Sequence, residues 1–388
     1  MKRLRLDAIT RVNLHYLTMV FAQGTGFLFL FVFLLRAGVA APLVLLAQAA
    51  IVTGRLCVRP FLLPLAKRMG VRPLLMLGSG VMGLQYLLLP AVHGPGWALV
   101  AVCVAAAAGD VFYWLPFNAY YAAIGDVERR GRQIALREAL AAAAGIVAPL
   151  AAALSLVAFG PWWTFWTVAA VQASAALPLI GAPDVQVPAE APGAFRAARA
   201  AFLLMAADGW FDACWLIMWQ IALFVSLRES FSAYGGALAL AGVVGAAAGL
   251  ALGHRIDAGH GRRAVVVTYA VATTIVVLRG ASLGWPVLAV GAHALGALLM
   301  PLLGPTLGFP ISNMSKASPC TFRFAMVTEG GWDVGCCGAC LTGAALLSLG
   351  APLASLILLA LPAAALSAAI LWRLYSASAQ TLARPMLA

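Results

Sequence analysis

The sequence predicts an all-α integral membrane protein with twelve transmembrane helices in two pseudo-symmetric six-helix bundles. Three observations predict it. First, 63% of the 388 residues are hydrophobic and 10% are charged, whereas a soluble domain carries about a quarter charged residues. Second, apolar runs of about 20 residues, the length of a bilayer-crossing helix, recur along the whole chain. Third, a polar, proline-containing gap at 183–199 falls near the middle. A chain of this composition lacks the polar surface to cover a soluble core, so its solvent is the bilayer.

The expected helices are 12–35, 41–64, 72–93, 97–123, 134–158, 161–182, 200–227, 232–255, 264–280, 285–311, 323–348 and 350–374. Turn residues mark short gaps, as in His93-Gly94-Pro95-Gly96, Phe159-Gly160-Pro161 and Leu349-Gly350-Ala351-Pro352. The long gap divides the chain into an N-terminal bundle (1–182), a cytoplasmic linker (183–199) and a C-terminal bundle (200–388).

Charge sets the orientation. The net charge of +12 comes from cations in every second gap: Lys67, Arg68 and Arg72; Arg129, Arg130 and Arg132; Arg196 and Arg199; Arg255, Arg262 and Arg263; Lys316 and Arg323. The alternate gaps hold only isolated cations such as Arg36, Arg228 and Arg279. Loop cations stay cytoplasmic, which places both termini there and leaves no need for a nucleic-acid partner. The basic start, Met1 to Arg5, leads into a long apolar stretch without a small-residue cleavage site, so it reads as an uncleaved first helix. Scarce lysine amid abundant Arg, Ala and Gly suits a GC-rich bacterial genome, so the expected location is a bacterial inner membrane. The seven cysteines are odd in number and lie mostly inside spans, unlike a secreted disulfide framework.

An internal repeat supports the two halves. Helix 5 begins Arg132 to Glu138 and helix 11 begins Arg323 to Glu329, each an Arg with a Glu six positions later. Upstream, helix 4 has Pro116-Phe117-Asn118 and helix 10 has Pro310-Ile311-Ser312-Asn313.

The gap between helices 8 and 9 reads Gly253-His254-Arg255-Ile256-Asp257, then Gly261-Arg262-Arg263. It resembles the loop signature of the major facilitator superfamily, with one extra residue before the last Gly. The first-half gap, 65–72, keeps Gly70 and Arg72 but has Lys67 where the family has Asp. The family's glycines let helix ends approach, and its Asp sits at a helix N-terminus. With Lys67 there, the first-half latch must differ. The helix-4 arginine of the family's proton-driven drug exporters has no counterpart, and helix 4 carries Asp110 instead. Gly145 to Pro149 on helix 5 is a partial echo of the exporters' Gly/Pro motif or a packing and kink site. The resemblance implies alternating access, a cavity lined by helices 1, 4, 7 and 10, and contacts between helices 2 and 11 and between 5 and 8. It makes Asp110, Asn118, Gln23, His15 and Asn313 cavity candidates, with a structural helix–helix contact as the alternative for Asp110. It pairs Glu329 or Asp333 with Arg59 or Arg55, and Glu138 with Arg255, as a gate or as static structural pairs.

Charged side chains at membrane depth face a cavity or a partner. Asp110, Asp212, Asp333 and Arg55 fall near mid-membrane, and Asp208, Glu138, Glu329, Arg59 and Arg255 nearer the cytoplasmic ends. Asp208 and Asp212 share a helix face, with Trp215 and Trp219 at i+7 and i+11 from Asp208. Carboxylates beside aromatic rings suit an organic cation, and two close carboxylates can share a proton. The alternative is an Asp that pairs with an Arg or caps a broken helix. His15 is a proton site or a hydrogen-bonded core histidine. Cys336, Cys337 and Cys340 read as small packing residues rather than a soft-metal site.

No phosphate loop and no catalytic constellation is present, so neither an enzyme nor a cofactor is expected. The sequence points to secondary active transport of a small molecule, coupled to protons, with export of an organic cation or amphiphile ahead of uptake of a small solute or metal ion. A non-transporting receptor or scaffold is the reading from another class. The expected partners are the substrate, the coupling ion and the lipid bilayer, and the expected state is a monomer.

Overall fold

The computed structural model describes residues 8–124, 130–252 and 261–383. They form helices joined by turns and short irregular segments, with no strand among the described residues. The principal helices are α1 (Thr10–Arg36), α2 (Ala41–Met69), α3 (Val71–Ala91), α4 (Trp97–Ile124), α5 (Arg130–Ala158), α6 (Gly160–Ser174), α7 (Arg199–Ser226), α8 (Phe231–Leu252), α9 (Gly261–Ser282), α10 (Pro286–Ala317), α11 (Thr321–Ser348) and α12 (Leu353–Ser376). Ten of these are long and apolar enough to cross a membrane. The other two are α6, with 15 residues, and α11, whose 28 residues include Arg323, Glu329 and Asp333.

Close helix approach depends on small residues, because lipid offers no hydrophobic drive between helices. Gly78 of α3 sits against the Phe112 carbonyl of α4, and Gly109 of α4 sits against the Met82 backbone. Between α7 and α11 the fit is reciprocal. Gly209 faces the Trp332 carbonyl, while Gly331 and Gly335 face the carbonyls of Phe202 and Ala206. A Cβ at any of these would collide with backbone.

The segment after α6 is tied back onto the turn between α2 and α3. Gly70 has φ +84° there. The Arg72 N–H donates to Asp184 Oδ1 at 2.8 Å, the Val71 N–H donates to the Val185 carbonyl at 3.0 Å, and Arg72 Nη1 donates to the Ala182 carbonyl. An acid at the start of α3 suits the free N–H groups and the helix dipole. Asp184 therefore brings to the first-half loop an acid that the sequence there lacks, with Lys67 in its place.

At the end of the bundle away from this linker, α1 packs on α7 and α8. Phe29 meets the Tyr234 ring edge-on with centroids 5.4 Å apart, Phe224 and Tyr234 lie 5.6 Å apart, and Tyr234 Oη donates to the Leu28 carbonyl at 2.9 Å.

Candidate functional site

The strongest concentration of buried charge lies between α2, α4 and α11. Arg55 and Arg59 are four apart on α2 and share a face, as do Glu329 and Asp333 on α11. Asp333 is fully buried, and the two arginines are each 5% exposed. Arg55 faces three carboxylates. Its Nη1 donates to Asp110 Oδ2 at 3.4 Å and its Nη2 to Glu329 Oε2 at 3.1 Å. Its Nε lies 2.9 Å from Asp333 Oδ1, an ion-pair contact without hydrogen-bond alignment. Arg59 Nη2 donates to Asp333 Oδ2. Asn118 of α4 donates to Glu329 Oε1 at 2.7 Å.

These contacts have two consequences. Both arginines come from the first six helices and two of the three carboxylates from the last six, so the network ties one set to the other. The formal count is two guanidiniums against three carboxylates. The surplus negative charge is held where burial makes isolated charge expensive. That is a place for a proton or a cation to bind.

The network continues into α7 through one aromatic residue. Trp332 of α11 has the Arg55 guanidinium 5.3 Å from its ring centroid and donates Nε1–H to Asp212 Oδ2 at 3.1 Å. Asp208 is 7% exposed and sits one turn before Asp212. Trp332 thus links the α7 acids to the α2–α11 network, and no charge pattern in the sequence marks it.

The placing of Trp215 and Trp219 beside Asp208 and Asp212 needs correction. A π-helical turn, Ala213–Met218, interrupts α7. Such a turn adds a residue and rotates everything after it relative to a regular helix. The Trp215 and Trp219 rings instead hold Arg279 of α9, whose Cζ lies 3.7 and 4.7 Å from their centroids. Arg279, expected at the end of the span 264–280 and counted as an isolated cation of the gap, lies within α9 and is 3% exposed.

The remaining candidates are placed as follows. His15 is fully buried, with Nδ1 2.7 Å from the Ala175 carbonyl and Nε2 3.1 Å from Tyr113 Oη. Gln23 is partly buried and donates to Met82 Sδ at 3.6 Å. Asn118 and Asn313 are exposed. Of the loop motif, Gly261 abuts Tyr375, Arg262 stacks on Trp372 at 5.3 Å, and Arg263 is exposed. Gly253, Asp257 and Arg255 lie outside the described residues, as does the side chain of Glu138. Cys336 accepts from Gln48 Nε2 at 3.8 Å, and the Cys337 and Thr53 side chains are 3.5 Å apart, so these thiols pack against α2. No described group of His, Cys, Asp and Glu side chains is arranged to hold a metal.

No protein-family profile matches the sequence, and no curated protein matches it. Among solved structures, the chain is similar to the crystal structure of the human organic anion transporter MFSD10 (TETRAN). The TM-score is 0.65 at 15% identity, covering 95% of this chain and 98% of that one. The chain has the major facilitator fold. Likeness at this identity carries the architecture and not the substrate. In the major facilitator fold the two six-helix halves meet along helices 2 and 11. In this chain the Arg55, Arg59, Asp110, Glu329 and Asp333 network lies where α2 and α4 meet α11.

Proposed function

We propose that this chain is a secondary active transporter working by alternating access, with the α2–α4–α11 network as the gate between its halves. The observation that carries the reading is the charge arrangement itself. Buried ion pairs are weak stabilisers of a static fold, because desolvation offsets much of their attraction. Five charged groups spanning two halves make sense where the contact must form and break. The aromatic contacts of Phe29, Phe224 and Tyr234 seal the end away from the linker, while Asn118 and Asn313 are exposed.

The surplus carboxylate of the network supports proton coupling. A proton arriving at Asp110, Glu329 or Asp333 cancels the excess charge and weakens one arm of the Arg55 contact. Asp110 is the natural acceptor, because it belongs to the same half as Arg55 and its 3.4 Å contact is the longest of the set. The linker and both termini face the cytoplasm of a bacterial inner membrane in this reading, as the loop cations require. The sequence favoured an organic cation or amphiphile, moved outward. Asp208 and Asp212 still suit a cationic group, but the indole faces counted for it are covered by Arg279.

The test is proton flux in proteoliposomes with a pH-sensitive dye and a panel of amines, organic acids and divalent metals. A substrate-dependent signal that is lost in Asp110→Asn supports the reading. A signal unchanged in Asp110→Asn removes the proton role, and silence across the whole panel favours a receptor or scaffold.

A further inference from the structure

Arg279 is the strongest unexplained group in the molecule. It is 3% exposed, and among the described residues no carboxylate lies within 4.0 Å of its guanidinium. Its surroundings are organised around it. The π-helical turn of α7 redirects the Trp219 N–H to the Cys214 carbonyl, five residues back. That releases the Trp215 carbonyl, which accepts from Arg279 Nη1 at 2.9 Å. The two indole faces flank the cation. Gly296 of α10 leaves the space that Nη2 occupies, because a Cβ there would overlap it.

Arg279 Nε is buried without a hydrogen-bond partner. A second unpaired donor belongs to the same cluster. Trp219 Nε1 can only donate, and it donates to His293 Nδ1 at 3.0 Å. Nδ1 must then carry the lone pair, so the proton of neutral His293 is on Nε2. That atom is also buried without a partner. A fixed positive charge and an unpaired N–H flanked by aromatic rings form an arrangement that lacks one thing, an anion.

We propose that Arg279 and His293 form a binding subsite for the carboxylate or sulfonate head of an aromatic or amphiphilic organic anion. Counted from Gly261 at about 1.5 Å per residue, Arg279 lies roughly 27 Å along α9, toward the end away from the linker. The proposal rests on the transport reading only for the route by which the anion arrives.

The experiment is equilibrium binding of 2-naphthoate and its cationic counterpart 2-naphthylmethylamine to purified full-length protein in detergent. Each is read by competition and by ligand-induced thermal shift. Wild type is expected to bind the acid and to discriminate against the amine. Arg279→Met, which replaces a buried charge with an apolar chain of similar length, is expected to keep the melting temperature and to bind the acid about tenfold or more weakly, as the loss of a charge-assisted hydrogen bond implies. His293→Phe, which keeps the ring and removes the Nε2 donor, is expected to weaken binding of the acid by a smaller factor. The proposal is overturned if wild type binds no acid, if it binds the amine equally well, or if folded Arg279→Met and His293→Phe both bind the acid as wild type does. Should Arg279→Met fail to fold, the wild-type acid-against-amine comparison and His293→Phe still decide. The assay needs no membrane gradient. Acid binding without proton flux would keep the subsite and remove the transport reading. Flux driven by an amine without acid binding would do the opposite.

Discussion

Replacing Asp333 by Asn should loosen the seam between the halves by an amount the geometry bounds. Asp333 is fully buried and faces both Arg55 and Arg59. In Asp333→Asn, Arg55 keeps Asp110 and Glu329, but Arg59 loses its only described carboxylate. Removing one partner of a buried ion pair costs about 3–5 kcal/mol. The Asn amide oxygen still accepts a hydrogen bond, so the lower figure applies, and about 3 kcal/mol is roughly two decades in an opening equilibrium. Hydrogen exchange by mass spectrometry reads this directly. Amides of α2 around Arg55 and Arg59, and of α11 around Glu329 and Asp333, should exchange about a hundredfold faster. Arg59→Met combined with Asp333→Leu removes both charges and should return exchange to near the wild-type rate, since an apolar pair replaces a buried ion pair at little cost. A single variant that exchanges within threefold of wild type, or a double variant as fast as the single, would refute the reasoning.

Other consequences follow from the same contacts. His15→Phe leaves the Ala175 carbonyl and Tyr113 Oη without their partner, so the melting temperature should fall with a loss of about 1–3 kcal/mol while transport per folded molecule persists; lost transport at unchanged melting would give His15 a proton role. Gly335→Val should abolish monodisperse protein on size exclusion, because its side chain would meet the Ala206 carbonyl, whereas Gly96→Val, with open space around it, should elute as wild type. Asp184→Ala removes the acid at the start of α3 and should destabilise that turn by about 0.5–2 kcal/mol, seen as faster proteolysis within 183–199.

How much of this was legible follows from the physics of each signal. Apolar runs and alternating basic gaps are long-range patterns, and they foretold the helix order and the polar segment between α6 and α7. Span α6 is the weakest by length, and α11 carries the network's own acids. Arg55, Arg59, Glu329 and Asp333 stood out because charge in a span is rare, and the resemblance put helices 2 and 11 side by side. That Arg55 would reach three carboxylates at once depends on side-chain reach, which spacing does not encode. Trp215 and Trp219 were misplaced because regular helical counting was carried through Ala213–Met218, where no Pro or Gly warns of a π-helical turn. Arg279 was misplaced because a cation near the end of an apolar run reads as interfacial, and only the folded neighbours show it turned inward. His293 lies inside the expected span 285–311 as His15 lies inside 12–35, but nothing in the spacing ties it to Trp219 and Arg279.

The most direct test of alternating access is the distance between the halves at both ends of the bundle. Genetically encoded spin labels would leave the seven cysteines intact. One pair sits at Lys67 and Lys316 on the linker side, both exposed. The other sits at Trp97 and Leu349 on the opposite side, 87% and 84% exposed. Double electron–electron resonance in nanodiscs, with and without substrate and across pH, should give two populations that change reciprocally, one pair lengthening as the other shortens. Asp333→Asn should shift their ratio. A single distance at each end, unmoved by substrate, pH or the Asp333 substitution, would contradict the account.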